Sequence, residues 1–286
     1  MLFAGCNIAW RFGDGPAIGI VGFRVLLGAV VALGVARRQG SGSWRAPLAV
    51  RSGRIAVAAQ VLGLVAAGTM FRTLDGPLAG LALACVPAVA LLVRDRAGAF
   101  STVAALGSSC AALVGLTVAA GESGVDSVSP AGAVTALVFV ALEVWSLRTS
   151  ELAVEDGVNP TALVASTMIT GTIFLLPVGL VFGTIQQPWT IWGALGAAFA
   201  VAVFGTIGRV LRTAALPAAG VTAVAASAQI AALFTALGGV LLLDDGVSAV
   251  SLACTVVAAG LGATAVVAAA RWRLARRPDL GLALDS

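Results

Sequence analysis

The sequence predicts an all-α polytopic membrane protein with about ten transmembrane helices, the first of them truncated, arranged as two inverted five-helix repeats. Composition is the first reason: hydrophobic residues make up 59% of the 286 residues and charged residues only 10%. A soluble protein of this size would need a charged surface that the chain lacks. The second reason is that the apolar residues form continuous runs of about 17 to 25 residues, the length that a helix needs to cross a bilayer. A membrane β-barrel would instead show short segments of alternating polarity.

Nine full spans follow one another along the chain. They are residues 16–36, 54–71, 77–93, 99–120, 130–149, 160–183, 189–210, 216–243 and 247–270. Residues 1–13 resemble the second half of another helix, because they are apolar as far as Trp10 but too short to cross the membrane. We expect a segment before Met1 to complete this helix, and an abnormally short first helix is the alternative. A cleaved signal peptide fits less well, since a basic n-region and a small-residue cleavage site are missing.

A motif that occurs twice indicates that the chain is a duplication. Five residues of RTLDGPLAG, which begins at Arg72, recur in RTAALPAAG, which begins at Arg212, at an offset of 140 residues (212 minus 72). Five spans, an odd number, separate the copies, so the copies face opposite sides of the membrane and the repeats are inverted. We assign residues 1–120 to the first repeat, 130–270 to the second and 271–286 to a basic tail. Inverted repeats are typical of secondary transporters, whose site lies near the bilayer midplane.

The arginines predict the orientation, because the chain contains no lysine. Alternate threading of the spans places thirteen arginines on one side and only two, Arg11 and Arg72, on the other. The positive-inside rule makes the first side cytoplasmic, so we expect the C-terminal tail to be cytoplasmic. We further expect the protein to be a multi-pass protein of a bacterial plasma (inner) membrane. The net charge of +4 is then a topology signal, and it indicates no nucleic-acid partner. The thirteen are Arg37, Arg38, Arg45, Arg51, Arg54, Arg94, Arg96, Arg148, Arg212, Arg271, Arg273, Arg276 and Arg277.

Three segments of the chain resemble helices of one transporter family. They are GFRVLLGAVVALGVARR at 22–38, LACVPAVALLV at 83–93 and ALFTALGGVLLLDDGVSAVSLACTVVAAGLG at 232–262. The family is the drug/metabolite transporter superfamily, specifically its EamA-type ten-helix exporters. Near Ala232 and Asp245 the family usually has proline and glutamate, so the third match holds in spacing and partly fails in identity. The resemblance implies a secondary active transporter that exports small metabolites, amino acids or drugs by alternating access.

Ionisable groups inside the spans are the main site candidates, since one at mid-bilayer costs about 2.5 to 3.5 kcal/mol. Glu143 is the strongest, because Arg148 lies five residues later, beyond the usual helical pairing distance. An unpaired Glu143 can take up and release a proton or contact substrate, and a structural role beside a neighbouring arginine is the alternative. Arg24 is the natural partner of a buried carboxylate or of an anionic substrate group, with structural anchoring as the alternative.

Uncharged polar residues and a proline complete the candidate set. Gln60, Gln229 and Asn7 are expected to line a cavity or to form hydrogen bonds between helices. Pro87 marks either a broken helix at a binding site or an ordinary kink. Arg209 lies near the cytoplasmic end of its span, and we expect it to reach the interface by snorkelling.

Histidine, which many catalytic and zinc sites require, is missing from this chain. The four cysteines also form no C-x-x-C pair, so the sequence predicts no catalytic residues, no metal site and no cofactor. The expected partners are a small-molecule substrate, membrane lipids and protons as the coupling ion. The sequence does not decide whether the protein forms a homodimer. The alternative function is that of a non-transporting membrane scaffold or assembly partner.

Overall fold

The computed structural model describes residues 17–73, 76–91, 99–122, 130–186, 191–230, 233 and 248–276. These residues form helices and turns, and the described part of the chain contains no strand. The helices are α1 (Ala17–Gln39), α2 (Ala46–Ala49), α3 (Arg51–Thr73), α4 (Gly76–Ala90), α5 (Ala99–Glu122), α6 (Pro130–Glu155), α7 (Pro160–Gln186), α8 (Ile191–Ala219), α9 (Val221–Ala226) and α10 (Ala249–Arg276). The predicted all-α class is confirmed.

Helices of membrane-spanning length dominate the structure. Within the described ranges, five are long and apolar enough to cross a membrane: Arg51–Met70, Ala99–Val118, Ala131–Glu155, Pro160–Val181 and Ala249–Arg273. A helix satisfies its backbone hydrogen bonds internally, as the hydrocarbon core of a bilayer requires. The chain is therefore an α-helical membrane protein. The predicted truncated helix at residues 1–13 lies outside the described residues.

The second copy of the Arg-Thr motif lies differently from the prediction. We expected one span to end at residue 210 and another to begin at 216, but α8 continues through Pro217 to its end. The break comes at Gly220, whose φ of 84° lies in the left-handed region that favours glycine. A new helix then begins at Val221. As a result, Arg212 lies inside a helix instead of in a loop.

Two further predicted spans also end before their helices do. Helix α6 continues past residue 149 to Glu155, and α10 continues past residue 270 to Arg276. In α6 the polar residues extend the helix because Arg148 and Glu151 pair at a spacing of three residues. The first residues of the predicted basic tail are likewise helical.

The chain divides into two compact units, and neither of them coincides with one half of the sequence. The first unit contains Met1–Asp75 and Ser129–Ala214, and the second contains Gly76–Val128 and Ala215–Ser286. Each unit therefore combines helices from both halves.

In the first unit, α1 and α7 pack together in an antiparallel pair. A Cβ on Gly22 would lie 3.1 Å from the carbonyl oxygen of Leu175. A Cβ on Gly28 would lie 3.0 Å from the sulfur of Met168. Residue numbers rise along α1 as they fall along α7, which shows that the helices run in opposite directions. The glycines allow the close approach that holds helices together in lipid, where van der Waals packing drives association.

Helix α3 also belongs to the first unit and packs against both α6 and α7. The side chains at the centre of this unit are aliphatic, apart from one methionine, and are almost fully buried. They are Val21, Val25, Ala29, Leu64, Val164, Met168 and Val210.

The second unit is built around an antiparallel pair of α5 and α10. Ser101 Oγ donates a hydrogen bond to the carbonyl oxygen of Ala265 at 2.9 Å. Ser108 Oγ donates to that of Ala258 at 2.7 Å. The partner numbers fall as the serine numbers rise, so α10 runs opposite to α5.

Helix α10 also holds the junction between α8 and α9. A Cβ on Gly262 would lie 2.5 Å from the carbonyl oxygen of Ala226, a distance that a real side chain cannot adopt. Arg273 Nη1 donates to the carbonyl oxygens of Leu216 at 3.3 Å and Pro217 at 3.0 Å. The Leu216 carbonyl oxygen also accepts from the Gly220 N–H at 2.8 Å, so the arginine of α10 adds a second donor there and supplies a donor to the Pro217 carbonyl in the last turn of α8.

Candidate functional site

Buried polar side chains follow one another along about two and a half turns of α6. They are Glu143, Ser146, Thr149, Ser150 and Glu151, each at most 7% exposed. The hydroxyls are satisfied locally, as where Thr149 Oγ1 donates to the Trp145 carbonyl oxygen at 2.9 Å. Buried carboxylates need charged partners, because an isolated charge in an apolar medium is costly. The charged partners of Glu143 and Glu151 therefore decide which chemical role these buried side chains of α6 can have.

Glu143, the strongest candidate from the sequence, forms an ion pair with an arginine of another helix. Arg212 Nη1 of α8 donates to Glu143 Oε1. The side chains of Arg212 and Glu143 are 15% and 9% exposed. The expectation of an unpaired carboxylate is thus corrected: Arg148 is indeed not its partner, but a residue 69 positions along the chain is. Arg212 reaches the carboxylate because α8 continues beyond residue 210.

Two further guanidinium groups act electrostatically on the Glu143 carboxylate. One belongs to Arg209, three residues before Arg212 in α8, and the other to Arg24 in α1. Arg24 is 4% exposed and acts on this buried carboxylate, and its role as substrate partner or structural anchor stays a prediction. The Nε of Arg209 is buried in the protein, and its snorkelling to the interface stays a prediction. We call these four residues the Glu143 cluster; it joins α1, α6 and α8.

Gly63 in α3 leaves room beside the other oxygen of the same carboxylate. A Cβ at this position would lie 3.8 Å from Glu143 Oε2 and 4.0 Å from the Ser146 Cβ. Those are ordinary van der Waals distances, so a small group fits there without displacing its neighbours. Oε1 is held by Arg212, and Oε2 is the oxygen next to this space.

Gln60, one turn before Gly63, ties α3 to both of its neighbours. Its Nε2 donates to Ser150 Oγ of α6 at 2.8 Å, and its Oε1 accepts from Thr167 Oγ1 of α7 at 3.0 Å. The residue is 1% exposed. Because both ends of the amide are used between helices, the structure favours the interhelical role over the cavity-lining role.

Glu151 is a buried ionisable residue that the sequence analysis missed. It is 1% exposed and pairs with Arg148 one turn earlier. The predicted span ended at residue 149, which left Glu151 in a loop. The available signal was the spacing of three residues from Arg148, which is favourable for opposite charges on a helix.

The remaining candidates lie elsewhere. Gln229 belongs to the second unit and is 2% exposed, and its Nε2 has no hydrogen-bond acceptor among the described residues. Pro87 lies near the end of α4, which continues to Ala90. Of the two interpretations of Pro87, the broken helix is therefore wrong, because the helix continues past this residue, and the ordinary kink stays a prediction. Asn7 lies outside the described residues.

The Glu143 cluster suits charge pairing and proton exchange better than metal chemistry. Across the described ranges, no group of three or more histidine, cysteine, aspartate or glutamate side chains is placed to hold a metal ion. A buried carboxylate–guanidinium pair can exist in two states. It is closed when the carboxylate is ionised, and it opens when the carboxylate is protonated or when another anion binds the guanidinium.

Comparisons with known proteins show a fold that has been seen before. No family model and no curated protein matches the sequence. Among solved structures, one described only as "Crystal structure of protein" is 13% identical, with a TM-score of 0.64, over 93% of this chain and 97% of that one. At this identity the likeness concerns the fold alone, and it extends over nearly the whole chain.

Proposed function

We propose that this protein is a secondary active transporter of the EamA-type drug/metabolite class, which exports small metabolites, amino acids or drugs by alternating access. The single observation that carries the proposal is the buried Glu143–Arg212 pair, with Arg209 and Arg24 acting on the same carboxylate. Ionisable residues inside membrane helices are rare and mark substrate paths or proton relays. The alternative function, a non-transporting membrane scaffold, would use the same pair only to hold helices together.

The packing of equivalent helices supports the inverted duplication. In the repeat assignment, α1 and α7 are the second spans of their repeats, and α5 and α10 are the fifth spans. Each of these pairs packs in an antiparallel manner. Inverted repeats require opposite directions for equivalent helices, and such repeats provide two similar packings that open to opposite sides.

Protonation of Glu143 is the coupling step that we propose. A proton on the carboxylate weakens its ion pair with Arg212 and leaves that guanidinium able to bind an anionic group of the substrate. Loss of the proton restores the pair and displaces the substrate. The ionised carboxylate and the anionic group of the substrate thus compete for one arginine, so that proton uptake by Glu143 and substrate binding to Arg212 are linked.

The same proposal places the protein in a bacterial plasma membrane with its C-terminus in the cytoplasm. The end of the first unit around the α1–α3 connection carries five exposed arginines: Arg37, Arg38, Arg45, Arg51 and Arg54. The positive-inside rule assigns that end to the cytoplasmic side.

Thiol labelling at Gly63 tests alternating access without knowledge of the substrate. Gly63→Cys, in a chain whose four native cysteines are changed to alanine, places a thiol beside the Glu143 carboxylate. We expect a membrane-impermeant maleimide to label it from either side of proteoliposomes. Val138→Cys is the control, because Val138 lies on α6 but is 47% exposed on the apolar surface, and it should stay unlabelled. Labelling of Gly63→Cys from one side only, or from neither, contradicts the proposal.

A further inference from the structure

The connection between α1 and α3 concentrates positive charge on a small surface. We call residues 37–54 the basic hairpin; it includes the end of α1, all of α2 and the start of α3. Its five arginines are all exposed, and among the described residues none of them forms an ion pair. The nearby carboxylates at the end of α6, Glu155 and Asp156, are also exposed and pair with none of the five.

The basic hairpin is fixed to the helices beneath it. Thr161 Oγ1 of α7 donates to the Gln39 side chain at 2.7 Å, and Ser166 Oγ of α7 donates to the carbonyl oxygen of Trp44. Gly53 lies so close to α2 that a Cβ there would be 2.2 Å from the Pro47 carbonyl oxygen. The arginines therefore project from a held backbone, and an anion that binds them need not order a loose loop.

The placement of two of these arginines is unfavourable unless an anion is present. Arg51 and Arg54 lie in the first turn of α3, where the helix dipole is positive and cations are disfavoured. That turn contains no acidic residue. A phosphate group would relieve the repulsion and would accept hydrogen bonds from the guanidinium groups.

We propose that the basic hairpin binds the phosphate headgroups of anionic phospholipids. The hairpin follows directly on α1 and precedes a helix of membrane-spanning length, so it lies at the depth of the headgroups. Arg45 Cζ lies 5.3 Å from the centroid of the half-buried Trp44 ring. Tryptophan is a residue type that anchors proteins at the depth of the headgroups. Clusters of four to eight basic residues next to a membrane helix bind anionic lipid in this way. The lipid would brace α1 and α3, which carry Arg24 and Gly63.

Native mass spectrometry of the full chain, titrated with phosphatidylglycerol or phosphatidylcholine, tests this inference. The variant Arg45→Gln, Arg51→Gln, Arg54→Gln should bind phosphatidylglycerol at least about tenfold more weakly, since each arginine near the surface contributes about fivefold. The matched control removes three charges from the basic tail that begins at residue 271: Arg271→Gln, Arg276→Gln and Arg277→Gln. It should change binding by less than about threefold, because those residues lie outside the hairpin.

A charge-conserving variant separates electrostatics from folding. Arg45→Lys, Arg51→Lys, Arg54→Lys should retain phosphatidylglycerol within about threefold of the unchanged protein, because the three charges stay. Equal weakening by the hairpin and control variants overturns the proposal, as does a lysine variant as weak as the glutamine variant. The proposal is also overturned if the unchanged protein binds phosphatidylcholine as tightly as phosphatidylglycerol, or if excess inorganic phosphate displaces the lipid.

Discussion

Neutralising Glu143 should destabilise the protein more than neutralising its partner Arg212. Glu143→Gln removes a carboxylate on which three guanidinium groups act, and leaves those cations close together in a buried site. Removing one member of a buried ion pair costs about 3 to 5 kcal/mol. Arg212→Gln removes one cation of three, so Arg209 and Arg24 still compensate the carboxylate, and the cost should be less than about 3 kcal/mol. The double variant Glu143→Gln, Arg212→Gln should lose less unfolding free energy than the two single variants lose together, by a coupling energy of about 0.5 to 3 kcal/mol.

Equilibrium unfolding in mixed micelles measures these free energies. Glu155→Gln is the matched control, because this carboxylate is on the same helix but exposed, and it should change the free energy of unfolding by less than about 0.5 kcal/mol. If Glu143→Gln costs no more than Glu155→Gln, or less than Arg212→Gln, the assignment of Glu143 as the central counter-ion of the cluster is refuted.

Three further stability predictions use the same unfolding measurement. Gln60→Leu should cost about 1 kcal/mol, because two interhelical hydrogen bonds worth about 0.6 kcal/mol each are lost; no loss would mean that the bridge contributes nothing. Gly262→Ala should cost about 1 to 3 kcal/mol through the clash with a backbone carbonyl. Gly260→Ala on the same helix has open space and should gain up to about 1 kcal/mol, and equal effects of the two substitutions would contradict the packing. Arg273→Gln should cost about 1 kcal/mol more than Arg271→Gln, since only Arg273 caps the end of α8; an equal cost would exclude capping.

The helical elements were predictable because each one needs only a long apolar run. Most predicted spans begin and end within a few residues of the helices, since the bilayer sets a minimum length. The predicted helix ends were wrong where polar residues continue a helix by local pairing, as Arg148 and Glu151 do in α6. The predicted end of α8 was wrong as well, because Pro217 was expected at the start of the next helix but lies in the last turn of α8.

The candidate site was predictable in its members and not in its pairing. Burial of Glu143 and Arg24 follows from their positions inside apolar runs. The partner of Glu143 depends on how far α8 extends and on which face of α8 meets α6, and hydropathy reports neither. Arg212 was therefore assigned to a cytoplasmic loop, although it lies 15% exposed against the carboxylate. The close approach at Gly63 likewise depends on tertiary packing that no local pattern records.

Proton flux in liposomes tests the central claim most directly. Purified protein is presented with a panel of amino acids and small amphipathic drugs, and the unchanged protein is compared with Glu143→Gln, Glu143→Asp and the control Glu155→Gln. We predict that at least one compound drives proton movement, that Glu143→Gln abolishes it, and that Glu143→Asp and Glu155→Gln retain it. Substrate-driven proton movement that persists in a folded Glu143→Gln variant, or its absence from the unchanged protein with every compound, would contradict the account.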